Sequence, residues 1–452
     1  MKREILISAT QREVRVAILE DDQLVELQVE RPETRRMVGD IYWGKVESVL
    51  PGLQAAFVDI GTDKSAFLHN SDLVYDEGDD DDAEDDGDEP ADVEQPDSAE
   101  LVAVEPIAAP RKGGGGRRRR KEPPQIQDVL KKGQEIVVQV SKEPISTKGP
   151  RVTAQVSMAG RFLVYMPFAS RVGVSRKIGD RAERQRLRGQ VESVMPKNSG
   201  GVIVRTVGED VTQETFQREL STLISQWSRI NKKTRFVGKP PKLLHRETSL
   251  TRGIIRDLFS TKIDSLTVDS RQLHNEILEY LTGIAPELAD RVHLYEDKKG
   301  LFDHAGIEQE IRDLFKRRCD LPSGGYLIIE PTEALVSIDV NSGRYTGKKD
   351  PEKTILRTNM EAAREVARQM RLRDLGGIIV ADFIDMETKQ NRDKVLQDLR
   401  MHLGRDRART KAFAVSDLGL IEMTRQRVRQ SHLQSMTEPC QVCHGTGRVF
   451  TS

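Results

Sequence analysis

The chain has 452 residues, a length that suits about three domains with substantial cores. With 37% hydrophobic and 32% charged residues and no apolar run as long as about 18 residues, it lacks the pattern of a membrane-spanning protein. The 71 Lys and Arg against 72 Asp and Glu hide an asymmetry: residues 76–123 hold 17 acidic and 7 basic side chains, leaving 64 basic against 55 acidic elsewhere. A body at net +9 suits a polyanionic partner. The opening MKREILISAT has no signal-peptide apolar stretch, and three cysteines, two of them in one CxxC, make no disulfide framework. A reducing, cytoplasmic setting is expected.

The first clear unit runs from about Asp40 to Leu73, where short alternating apolar runs (Ile41-Tyr42-Trp43, Val46, Val49, Ala55 to Asp59) are broken by Pro51-Gly52 and Gly61-Thr62. That punctuation predicts strands of a small antiparallel barrel. The pattern stops at Asp76 and resumes at Asp128 with VLKKGQEIVVQVSKE, so residues 76–123 read as an insertion in a barrel loop. Its acidic half, glycine run and arginine cluster cannot bury a core. Strand patterns continue from Val152 to Gly208. A helix is predicted over about 212–231 with Phe216, Leu220, Leu223, Ile224 and Trp227 on one face, and another after Ser249. YLIIEPTEALVSIDV predicts a hairpin from Tyr326. A long helix is predicted from Pro351 to Leu375, ended by Gly376-Gly377, followed by a buried strand, Ile378 to Ala381, that delivers Asp382.

Asp339 and Asp382 each end an apolar strand, where a carboxylate costs solvation unless it is paired or binds metal. Two carboxylates with Asn341 nearby suit Mg²⁺, which takes oxygen ligands and keeps several waters. The competing reading is that each caps a turn or pairs with an arginine. Arg344 stands where a calcium loop needs its sharp-turn glycine, so that loop is excluded. Cys440-Gln441-Val442-Cys443 is a zinc half-site, a redox pair or two free thiols. Because structural zinc takes four ligands and His444 is cramped beside Cys443, the zinc reading predicts a dimer whose second chain donates its own pair. Cys319 reads as a packed small residue. In the barrel, Phe57 and Phe67 could stack unpaired bases, with Lys142 and Lys148 on phosphates, or could be core. Arg205-Thr206 offers a guanidinium fork and a hydroxyl suited to a terminal phosphate, or a surface arginine beside a β-favouring threonine.

The combination of AAFVDIG, VIVRT, SGGYLIIEPTEALVSIDVNSGR, RLRDLGGIIVADFIDM, RDRAR, EMTRQR and CQVCHGTG resembles the ribonuclease E/G family over essentially the whole chain outside 76–123. The resemblance implies an α+β multidomain fold. An RNase H-like portion (1–39 and 251–314) is interrupted by an OB-fold of the ribosomal S-one type (40–150, carrying the insertion 76–123) and a 5′-sensor (151–250). A DNase I-like catalytic portion (315–436) and a zinc-link (437–452) follow. It implies a cytoplasmic Mg²⁺-dependent endoribonuclease that cuts single-stranded A/U-rich RNA to 5′-phosphate and 3′-hydroxyl ends. Its implied work is rRNA and tRNA processing and mRNA decay, stimulated by a substrate 5′-monophosphate. Asp339 and Asp382 would then be Mg²⁺ ligands, with Asn341 orienting them or bonding the scissile phosphate. Phe57, Phe67 and Lys148 match RNA-gripping positions; Gly160, Val164, Arg205 and Thr206 match the 5′-monophosphate pocket; Arg409 matches a basic position near the cleavage site. Cys440 and Cys443 match the zinc-link, in which two protomers share one Zn²⁺.

Three departures stand out. Gln441 occupies a position where family members often have Pro, the acidic insertion lies inside the RNA-binding barrel, and the sequence ends at Ser452, where relatives continue into a small domain that builds dimers of dimers. A homodimer is therefore expected, with the homotetramer left open. The alternative function is a non-catalytic RNA-binding or ribosome-associated protein using the same barrel, which would not need Asp339, Asn341 and Asp382 together. A redox protein working through Cys440 and Cys443 is a third reading that leaves the rest of the basic chain without a role.

Overall fold

The computed structural model describes residues 1–31, 36–73, 124–144, 148–175, 178–197, 199–209, 211–236, 238–247, 249–343, 351–416, 419–427, 431–438, 440–443 and 447. The insertion 76–123 and His444 lie outside them. It is a mixed α/β fold with a small barrel and three further sheets among the described residues. The chain divides into two compact units, Met37–Glu247 and the remainder, Met1–Arg36 with Thr248–Ser452. No helix among the described residues is long and apolar enough to cross a membrane.

In the 37–247 unit the expected barrel closes. The strand Ile41–Leu50 pairs antiparallel with Ala55–Asp59 and also with Glu135–Lys142, and Ala66–His69 and Arg151–Thr153 complete the ring. Closure leaves these strands without an open edge, and Val46, Ala56, Val58, Leu68, Val138, Val140 and Val152 fill the interior. The Pro51-Gly52 turn forms a short 3-10 turn, Pro51–Leu53, before the second strand. The second half of the unit is a four-stranded sheet whose Leu163, Tyr165, Val202 and Val204 pack on Leu187, Val191, Phe216, Leu220 and Leu223 of two helices. The second helix spans Gln213–Phe236, longer than its apolar stripe indicates. Its last turns are held because Lys233 Nζ donates to the Leu244 carbonyl at 2.8 Å.

In the other unit, a five-stranded sheet is buried on both faces. Ile5, Ile7, Val16 and Ile18 meet Ile254, Ile255, Ile277 and Leu281 on one side. Leu6, Ala17 and Leu19 meet Phe302, Leu314 and Leu372 on the other. A six-stranded sheet follows, in the order Arg318–Asp320, Tyr326–Pro331, Leu335–Asn341, Gly377–Asp382, Leu420–Arg425, Thr410–Ala412. The Tyr326 hairpin forms as expected. Helices Pro351–Leu372 and Lys389–Leu403 cover one face of this sheet through Ala362, Ala363, Val366, Met370, Val395 and Leu399.

The long helix stops three residues before the expected Leu375. Asp374 takes a left-handed φ of 55°, and the Leu375 amide returns to the Met370 carbonyl at 3.0 Å, a helix-stop geometry usually given to glycine. Arg425 stabilises it: this guanidinium, 5% exposed, binds Asp406 Oδ2 at 2.7 Å, Asp374 Oδ1 at 3.2 Å and the Leu375 carbonyl at 2.8 Å. One buried arginine thus ties the strand Leu420–Arg425 to the end of the long helix and to the RDRAR loop. Removing one partner strands buried charge, so Arg425→Ala should cost about 3–5 kcal/mol in urea unfolding, whereas Arg425→Met should cost less because apolar volume is retained. Equal losses would show that the stranded carboxylates, not lost packing, govern the site.

Candidate active site

The central strands of the six-stranded sheet, Leu335–Asn341 and Gly377–Asp382, run parallel, and their register sets Asp339 directly opposite Asp382. Parallel neighbours lie about 4.8 Å apart, so the two carboxylates are side by side. Alternation decides where they point: Val336, Ile338, Val340, Ile379 and Ala381 are buried on the helix-packed face, while Asp339 and Asp382 are exposed on the opposite one. Asn341, also at a strand end, donates from Nδ2 to Asp339 Oδ2 at 2.7 Å. The alternative of an arginine partner is not realised: neither Asp339 nor Asp382 has an ion-pair partner among the described residues.

Partial burial, the neighbouring Asp339 charge and Asp385 all push the Asp382 carboxyl above its usual range. Asp385 was missed in the sequence reading, although its place in DFIDM three residues after Asp382 was visible. So was Asn359, fully buried in the long helix, whose Nδ2 donates to the Ile384 carbonyl at 2.7 Å and whose Oδ1 accepts from the Ile384 amide at 3.1 Å. Both bonds clamp the backbone between the two aspartates. On the other strand, Gly343 at φ 60° lies so close to the Gly324 carbonyl that an added Cβ would sit 2.3 Å from its oxygen. Glycine is required there for both conformation and space. No group of three acidic, His or Cys ligands assembles among the described residues. The pair still fits a hard cation that needs one or two carboxylates and retains water, and the repulsion at Asp382 is what such a cation relieves.

In the barrel, Phe57 and Phe67 are cross-strand partners with ring centroids 6.0 Å apart, edge to face. Both are half-buried rather than core. Direct register extends the row through Arg151 to Lys142. Lys148 is exposed three residues before Arg151, and Gly149 packs against the Ser65 carbonyl. The row therefore presents two aromatic rings flanked by cations on one barrel wall.

Gly160, Val164, Arg205 and Thr206 come together at one end of the four-stranded sheet. Val164 is registered with Ile203, the Arg205 amide donates to the Phe162 carbonyl at 2.8 Å, and Arg205 Nη1 donates to the Gly160 carbonyl at 2.7 Å. Beneath them, Glu219 accepts the amides of Arg161, Phe162 and Leu163 at 2.6, 3.0 and 2.9 Å. Burial raises its carboxyl above the usual range, opposed by those three bonds and by the Arg205 charge. A Cβ on Gly160 would meet the Glu219 carboxylate at 2.7 Å, so the glycine lets the two segments close up. Glu219 was hidden in the sequence as one charged residue on an amphipathic helix. Arg409 is exposed, and its carbonyl accepts from the Gln426 amide at 2.9 Å.

Cys440 is exposed, and the amides of Cys443 and Val442 donate to its sulfur, with the Cys443 thiol, holding it below the usual thiol range. That is how a CxxC turn prepares a thiolate for metal. No third ligand joins the pair among the described residues. Cys319 instead packs half-buried against the six-stranded-sheet core, as expected, donating to Glu365 Oε1 at 3.2 Å, and burial pushes its thiol up to about 12.

The ionised Asp382 is a cost in the metal-free fold, because its folded pKa is raised. That cost is present above the folded pKa and is relieved as pH falls through it. Asp382→Asn should therefore raise the metal-free melting temperature at neutral pH, and millimolar Mg²⁺ should stabilise the wild type more than the variant. Equal Mg²⁺ shifts in both would place the cation elsewhere.

Comparison with known proteins bears on the same residues. The model of the ribonuclease E/G family matches residues 157–428, which include both aspartates and the Gly160 to Thr206 cluster. Ribonuclease G of Haemophilus influenzae is 38% identical over 449 residues, covering 99% of this chain and 84% of that protein. Ribonuclease G of Escherichia coli K12 is 37% identical over 454 residues, covering 100% of this chain and 85% of that protein. Ribonuclease E of Haemophilus influenzae is 38% identical over 453 residues, covering 99% of this chain and 44% of that longer protein. Matched along its length to these enzymes, the chain belongs to the ribonuclease E/G family.

Proposed function

We propose that this protein is a Mg²⁺-dependent endoribonuclease that cuts single-stranded, A/U-rich RNA to 5′-phosphate and 3′-hydroxyl ends. The reading extends to rRNA and tRNA processing and mRNA decay, and to stimulation by a 5′-monophosphate on the substrate. The observation that carries it is the register of Asp339 against Asp382 with Asn341 bonded to Asp339, in a chain whose relatives are ribonucleases. In this reading Asp339 and Asp382 hold the cation. Bound there, Mg²⁺ supplies a Lewis acid that acidifies water and offsets phosphate charge. Asn341 keeps the Asp339 carboxylate oriented, and Arg409 attracts the phosphodiester. Phe57 and Phe67 stack unpaired bases at about 1–3 kcal/mol each, while Lys148 neutralises the backbone. Arg205 and Thr206 take the 5′-phosphate on the platform that Gly160 and Val164 form. The domain assignments that the family resemblance implies belong to the same proposal.

A Zn²⁺ shared by Cys440 and Cys443 of two protomers is supported by the lowered thiol pKa of Cys440 and by the four ligands that structural zinc takes. A cytoplasmic setting agrees with this chemistry. The non-catalytic RNA-binding alternative shares the barrel wall but leaves the aligned carboxylates without a purpose.

Asp339→Asn should leave folding and RNA affinity near wild type while lowering turnover by at least about a hundredfold, the range that electrostatic and metal contributions to catalysis command. Unchanged turnover would remove Asp339 from the mechanism. Arg205→Ala should erase the advantage of 5′-monophosphorylated over 5′-hydroxyl RNA, and a uniform loss on both would make Arg205 a general phosphate contact. Purified protein should carry about half a zinc per chain, and serine at both Cys440 and Cys443 should remove the metal and halve the sedimenting mass. An unchanged mass without zinc would show a different dimer contact.

A further inference from the structure

A cavity of about 420 Å³ opens on the five-stranded-sheet unit, lined by none of the candidate site residues described above, and its walls are dominated by cations. Arg364, Arg368 and Arg371 recur at helical spacing along the long helix and reach it as one stripe, and His402 and Arg405 close it from the end of helix Lys389–Leu403. Its acidic residues are already committed. Glu20 bridges Arg371 at 3.3 Å and Arg3 at 3.5 Å, and Asp21 accepts the Lys2 amide at 2.8 Å. Arg368 is likewise spent on Glu365 and Glu310. Arg364 and Arg405 are different: both are exposed, and neither side chain has a hydrogen-bond or ion-pair partner among the described residues.

A second observation places a titratable group in the same wall. His402 is 9% exposed, and its Nε2 is buried with no hydrogen bond, standing 3.7 Å from Asp398 Oδ1. A buried polar nitrogen without a partner is uncommon and costs stability unless a ligand meets it. Burial holds the imidazole below its usual range; Asp398 opposes this, and the Arg405 and Arg364 charges reinforce it. Two guanidinium groups without a partner among the described residues thus share the cavity wall with this imidazole, and an anion there would offset their charge and favour its protonation.

We propose that this cavity is a phosphate-binding site, with Arg364 and Arg405 as its guanidinium clamps and His402 in its wall. Guanidinium forks match phosphate oxygens in pairs, and the volume lies in the range of small-ligand pockets. The phosphate could come from a free phosphorylated small molecule or from an RNA backbone crossing the surface, and the test separates these sources.

Pyrophosphate is titrated calorimetrically into the full chain with chelator present, so that no divalent cation mediates binding. In an Arg205→Ala background, which removes the 5′-phosphate contact proposed above, pyrophosphate should still bind, and adding Arg364→Ala/Arg405→Ala should weaken that binding at least tenfold with an unchanged melting temperature. Pyrophosphate should also raise the His402 pKa seen by NMR. In a second arm, the affinity of a 5′-hydroxyl single-stranded RNA is measured in an Asp339→Asn background with and without the double substitution. Pyrophosphate binding lost in the double variant with RNA affinity unchanged identifies a small-molecule site. Lowered RNA affinity without pyrophosphate binding identifies an RNA-backbone site. If the double substitution alters neither affinity, the proposal is overturned.

Discussion

The parallel pairing that sets Asp339 against Asp382 is the constraint around which the candidate active site is built. Two like charges at about 4 Å repel by about 1 kcal/mol in water and by several-fold more where the effective permittivity falls. Exposure keeps this repulsion small relative to the burial that fixes the register. A slip of one residue would turn Asp339 into the helix-packed face and bring Val340 out of it. The apolar residues of the two strands therefore hold the carboxylates together against their own repulsion. Desolvation, together with the Asp339 and Asp385 charges, raises the Asp382 pKa.

The supporting groups act on backbone rather than on the carboxylates themselves. Asn359 clamps Ile384 from inside the long helix, Gly343 lets one strand end pass against Gly324, and Arg425 fixes where that helix stops. The Gly160 to Thr206 cluster follows the same logic. Glu219 organises three consecutive amides, and Arg205 docks on the carbonyl that precedes them. In both places a buried polar side chain satisfies main-chain groups, and the exposed functional side chains inherit their positions.

Much of this was legible in the sequence because the signals were local. The barrel strands, the Tyr326 hairpin and the strand delivering Asp382 follow from alternation and turn residues, and the cross-strand meeting of Phe57 with Phe67 follows from their spacing. The remainder depends on contacts distant in sequence. The pairing of Asp339 with Asp382 bridges 43 positions through a helix, so the motif's order was visible but its register was not. Glu219, 58 residues from Arg161, reads on its own as a solvent-facing helix charge. The helix end at Leu372 is not legible locally because Asp374, in a glycine-like φ, is bonded by Arg425 from 51 residues away. The acidic insertion 76–123 was recognisable from composition alone.

The most direct test is cleavage of a short single-stranded A/U-rich RNA bearing a 5′-monophosphate by wild type and by Asp382→Asn, each with Mg²⁺ and with chelator. The account predicts internal cuts that leave 5′-phosphate ends only when both the cation and Asp382 are present. Binding of the RNA without cutting, or cutting that survives chelator or the loss of Asp382, would contradict it.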